Sequence, residues 1–212
     1  MPYKIISGKY ETGTPMQQLG FCQLFGQDNI LFKFDLYFHW FNIVHELGHC
    51  ILETYHKEMD QVEEELYVNR FAVSYWKLVD GNGNLKKLEE LLTQTLSFLP
   101  NPMPSDMTFI DFFRSMWKNA TEPSVALYGY FQLSCVLEAL KSNDKLDEVL
   151  DELGIKVTKT DTMQKYLGFI SSDCAGDVLH LCIKNLSHIG ICIDIVKLKL
   201  VDNPEVQCAS NY

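Results

Sequence analysis

No Cys-x-x-Cys pair, no long hydrophobic run, no internal repeat and no excess of positive charge occur in this 212-residue chain. Each absence closes off a class of function. Seven cysteines stand at 22, 50, 135, 174, 182, 192 and 208. The odd count and irregular spacing fit reduced thiols and a cytoplasmic location better than a disulfide framework. The most apolar stretches, 36–44 and 188–196, are about half of the ~20 residues needed to span a bilayer, so no membrane association is expected. Residues 1–8 have neither an apolar core nor a cleavage-site pattern, so no signal peptide is expected. Acids outnumber bases 28 to 18, for a net charge of −10, which argues against direct nucleic-acid binding through a basic surface. What remains, 47% apolar and 22% charged, is an ordinary globular composition able to bury a core.

The periodicities predict a mainly α protein with a small N-terminal β-sheet. Ile5-Ile6 suggests a short strand, and 30–34 alternates like a second one. Asp35 would then cap a helix running from Leu36 to about His56. Further helices are expected at 61–79, 85–99, 106–119, 123–141, 143–153, 161–170 and 175–188. The β-branched stretch 191–201 reads as a last strand. Pro100, Pro102 and Pro104 mark the clearest linker. It divides a core over residues 1–99 from a mostly helical region over 105–212 of no assigned role, which could pack on that core.

One run carries chemistry. His45-Glu46-Leu47-Gly48-His49 reads HELGH, an H-E-x-x-H pattern in the middle of the 36–56 helix. Residues four apart share a helical face, so both imidazoles can reach one ion. Glu46 lies beside them, placed to act as a general base. This is the usual arrangement of a zinc hydrolase, most often a metallopeptidase, with one Zn²⁺ per chain. A catalytic zinc of this type takes three protein ligands and a water. Glu65 falls sixteen residues after His49, room for a turn between antiparallel helices. Glu63 and Glu64 are alternatives, since acidic residues at a helix start are favoured by its dipole in any case. Asn69, four residues beyond Glu65, favours Glu65 and could hydrogen-bond the far nitrogen of a ligand imidazole.

These segments together resemble the ImmA/IrrE metallopeptidases, in which an H-E-x-x-H helix is followed by a helix bearing Glu, then Ala-Asn, a spacer and Phe-Ala. The chain matches at Glu65, Asn69, Phe71 and Ala72. It departs at Val68, and the Leu-Leu-x-Pro that commonly follows is replaced by Val73-Ser74-Tyr75-Trp76. The resemblance covers about residues 30–80. It implies a zincin-like core and cleavage of a protein or peptide substrate, often a transcriptional repressor. A metal-binding interaction module without turnover and a zinc hydrolase of a non-peptide substrate are the rival readings.

An oxyanion donor from the second half is expected, with Tyr128, Tyr130, His180 and His188 as candidates. His56 reads as a polar helix end, His39 as a packed or capping residue, and Cys50 as core. Cys174, His180, Cys182 and His188 match no standard zinc spacing, and cysteines in an apolar helix are usually core.

Overall fold

The structure, a computed structural model, describes residues 3–119, 125–193 and 196–201. The chain is mainly helical with one two-stranded parallel sheet. Strand β1 (Tyr3–Gly8) pairs with β2 (Val196–Val201), Tyr3 opposite Val196 and Gly8 opposite Val201. Two parallel neighbours need a crossover, and here nearly the whole chain provides it. Of the expected final strand, 196–201 is formed; residues 194 and 195, the start of the expected 123–141 helix at 123 and 124, and Cys208 lie outside the described residues.

Helix α1 (Pro15–Phe25) starts where Thr14 and Gln17 exchange hydrogen bonds in a capping box, with proline at the first position. The proline's missing N–H is one that a helix start leaves unpaired anyway. The next stretch corrects the sequence reading. Residues 30–34 are not a strand but the start of helix α2 (Ile30–Asp35). A π-helical segment (Leu36–Phe41) and α3 (Asn42–Thr54) follow without interruption. The alternation around Lys33 was too short to outweigh helical spacing: Phe34 stacks on Phe38 one turn on, and Lys33 reaches back to the Phe25 carbonyl. Asp35 is therefore no cap. It is buried inside the helical run and holds His39 Nδ1 at 2.6 Å, while His39 Nε2 meets the Gly8 carbonyl at 2.9 Å. His39 is thus a packed residue that pins β1 to the helix.

Helix α4 (Gln61–Val79) begins at Asp60, whose side chain accepts from the Glu63 amide. Then come α5 (Asn84–Phe98), α6 (Phe109–Asn119), α7 (Val125–Lys141), α8 (Leu146–Asp151) and α9 (Cys174–His188). The helix expected at 161–170 is a second correction. Only a 3-10 turn (Thr160–Thr162) forms, and Tyr166 bridges to Asp80 in extended conformation. Side-chain and strand-like partners replace helical ones: Asn185 Oδ1 accepts from Gln164 N, and the Val79 carbonyl from Tyr166 N.

The main core joins both sides of the proline-rich segment. Trp40 stacks on Trp76 at 3.9 Å, and Leu133, Val149 and Cys182 share their cluster. A smaller cluster links α6 and α7 to the start of α4 through Val62, Phe112, Phe113, Phe131 and Cys135. Among the described residues no helix is long and apolar enough to cross a membrane.

Candidate metal centre

Gly48 governs how closely α3 and α4 cross. A Cβ on it would stand 2.9 Å from Val68 Cβ and 3.2 Å from Phe71 Cδ1, inside van der Waals contact. Without that atom the two antiparallel helices bring His45, His49 and Glu65 onto one point. Their donor atoms lie within 4.8 Å of one another, and theirs is the only such cluster of His, Cys, Asp or Glu among the described residues. The two Nε2 atoms are 3.3 Å apart. His45 Nε2 is 3.5 Å from Glu65 Oε2, and His49 Nε2 is 4.0 Å from Glu65 Oε1. Donors about 2.0–2.1 Å from a shared tetrahedral zinc stand roughly 3.3 Å from each other, so the spacing fits with small side-chain movement.

The chemistry of the donors points the same way. Asn69 Nδ2 donates to the Glu65 carbonyl, which turns Asn69 Oδ1 toward His45 Nδ1 at 3.0 Å. Glu64 Oε1 stands 2.7 Å from His49 Nδ1. Both acceptors call for a proton on Nδ1, leaving each Nε2 as a lone pair. Two lone pairs and a carboxylate then face one another in a site where His45 is 5% and Glu65 8% exposed. Among the described residues Glu65 Oε2 has no hydrogen-bond partner. Buried negative and lone-pair density of this kind is costly without a cation. The residues present therefore fit a metal ion.

His49 responds to the same field. Burial pulls it toward neutrality, but the bond to Glu64 and the charges of Glu65, Glu46 and Glu64 outweigh that and raise its pKa above the ordinary value. Glu46, one residue after His45, is half-buried and accepts at Oε1 from Asn42 Nδ2 at 3.1 Å. Asn42, one turn back on α3, thereby aims the carboxylate.

The sequence reading named His45, Glu46, His49, Glu65 and Asn69; the structure gathers His45, His49 and Glu65 and sets Asn69 against His45, while Glu46 follows His45 on α3 and its charge acts on His49. The sequence reading missed two supports. Glu64, weighed there as a rival ligand, instead holds His49 from behind, and Asn42 holds Glu46. Asn42 and Glu46 are four apart on a helix, a signal open to a sequence reader; the Glu64 contact depends on the crossing angle of two helices.

The other candidates lie apart. Tyr130 bonds Asn101, His188 meets Thr162, and His180 is exposed. His56 is exposed past the end of α3, at φ 52°. Cys50 is core, its thiol pushed up to about 12 by burial first and by Glu46 and Glu53 second. Cys174 and Cys182 are buried on α9 and gather no metal cluster among the described residues. Comparisons with protein-family models, with curated proteins and with solved structures found no match for this chain.

Proposed function

We propose that this chain is a zinc-dependent metallopeptidase of the H-E-x-x-H type, with a zincin-like core, acting in the cytoplasm on a peptide bond of a protein substrate. The observation that carries the reading is the convergence of His45 Nε2, His49 Nε2 and Glu65 on one buried point, with the charge of Glu46 acting on His49. A zinc ion held there supplies a Lewis acid that polarises a carbonyl and lowers the pKa of water toward ~7. The chain's own residues do the rest. Asn69 and Glu64 fix the two imidazoles by their far nitrogens, which keeps the ligand lone pairs aimed inward. Glu46 accepts a proton from the attacking water as its oxygen bonds the carbonyl carbon. It passes that proton to the amine nitrogen as the C–N bond breaks. Asn42 engages one Glu46 oxygen, leaving the other for this transfer. The likeness of 30–80 to the ImmA/IrrE peptidases supports a regulatory protein, such as a transcriptional repressor, as the substrate.

The test separates metal from chemistry. Zinc-loaded protein is incubated with a proteome-derived peptide library, and new termini are read by mass spectrometry. Glu46→Gln is expected to keep its zinc and to lose cleavage by a factor of ~10²–10⁴. Undiminished cleavage in that variant contradicts the general-base role, and no cleavage by the zinc-loaded parent contradicts the peptidase reading.

A further inference from the structure

Two acceptors close on the His39 ring. Nδ1 stands 2.6 Å from Asp35 Oδ1, and Nε2 stands 2.9 Å from the Gly8 carbonyl. The histidine is fully buried and Asp35 is 6% exposed. The Phe34 ring packs edge-on against the imidazole at 5.6 Å. A carbonyl can only accept, so Nε2 carries a proton. The contact to Asp35 is short, as in charge-assisted bonds, and needs a second proton between nitrogen and carboxylate. The pair thus holds two protons and is neutral overall. An unfolded chain keeps only one of them above about pH 6.5, the ordinary value of a free histidine.

The surrounding elements offer no substitute for either proton. On α9, the Cys174 thiol donates to the His39 carbonyl at 3.6 Å; burial raises its pKa, and the charges of Asp35 and Asp177 add to that. On α5, Lys87 lies over the Phe32 ring, and Tyr10, just past β1, packs on Phe34. On β1, Lys4 is exposed and Tyr3 bonds Thr54. One turn on, α3 presents Asn42 and Ile43, neither of them titratable. Among the described residues His39 is the only basic group within ion-pair distance of Asp35.

We propose that Asp35 and His39 form a proton-dependent latch on strand β1. With two protons, the pair ties Gly8 to the helical run that leads into HELGH. With one, either the Nε2 lone pair faces the Gly8 carbonyl or the Nδ1 lone pair faces the carboxylate. One bond is lost in both cases, and a net negative charge is left buried. The Gly8 end of β1 then comes free, while Tyr3 at the other end keeps its bond to Thr54. Above about pH 6.5 the folded chain binds one proton more than the unfolded chain, so the hold on β1 weakens as pH rises. The latch works with or without a bound metal.

Hydrogen exchange of β1, followed by mass spectrometry in the full chain from pH 6 to pH 9 and corrected for the intrinsic pH dependence of exchange, tests this. Protection of β1 in the parent is expected to fall about tenfold per pH unit once the pair loses its proton. Asp35→Asn is expected to abolish that dependence, because its amide can donate to Nδ1 while a neutral ring still donates from Nε2 to Gly8. Protection that does not change with pH in the parent, or the same fall in Asp35→Asn, overturns the latch. Nitrogen-15 NMR of the His39 ring in the parent gives a second reading that needs no folded variant. A proton on Nε2 and no free lone pair on Nδ1 are expected at pH 7, and a free lone pair on either nitrogen overturns the latch.

Discussion

At His49, a proton and a metal ion compete for one nitrogen. Glu64, Glu65 and Glu46 raise its pKa against the pull of burial, so the folded, metal-free chain holds a proton more tightly than the unfolded chain does. That proton stabilises the metal-free fold fully below about pH 6.5, and the gain is lost as pH rises through the higher folded-state value. Zinc requires the neutral ring. Its stabilising effect, read as the difference in Tm with and without zinc, is therefore predicted to grow from pH 6 to pH 8; a flat or falling difference contradicts the assignment of His49. In Glu64→Gln the orienting charge is gone, so zinc affinity should drop by roughly 10–100-fold with the fold retained. The grouping of His45, His49, Glu65 and Asn69 was legible in the sequence, because helical spacing ties each to its neighbours along one element. Sequence alone did not identify Glu64 as the brace of His49: among three consecutive glutamates, spacing cannot tell which faces α3 and which the metal.

The crossing of α3 over α4 is the unit that converts two motifs into one site. Gly48 and Val68 meet where the helices approach most closely. Val68 is also where the chain departs from the ImmA/IrrE pattern, and it fills the space that Gly48 leaves. Gly48→Ala should force the helices apart. Overpacking of this kind costs about 1–3 kcal/mol, or roughly 2–4 °C of Tm per kcal/mol in a chain of this size, and zinc affinity should fall with it. An unchanged Tm and affinity would show that the crossing has slack. The helix α4 was readable to its ends, since Asp60 and Glu63 form a capping box and no breaker intervenes before Val79. The segment Ile30–Asp35 was not, and from Leu36 the helix was expected but not its π-helical form. Ile30–Asp35 is too short for either period to stand out, and the π-turn after it has no sequence signature of its own.

Over the whole chain, the second half completes the first. Leu133, Val136, Val149, Val178 and Cys182 enter the same core as Trp40, Leu47 and Trp76. Tyr67 of α4 donates to the Val149 carbonyl, and Arg70 pairs with Asp144 and Glu152 across the α7–α8 region. A fragment of residues 1–99 is therefore predicted to lack a cooperative thermal transition by circular dichroism; a sharp one would mean that the core is divisible. The sequence allowed the second region to pack on the first but could not show how closely: Pro100, Pro102 and Pro104 read as a linker, and the burial partners of distant helices cannot be inferred from either side alone. The account stands or falls on the buried point where His45, His49 and Glu65 meet. Its most direct test is zinc content after purification and dialysis, in the parent and in Glu65→Ala. The prediction is near one zinc per chain in the parent and a large loss in the variant. A parent without zinc, or a variant that keeps it in full, would contradict the account.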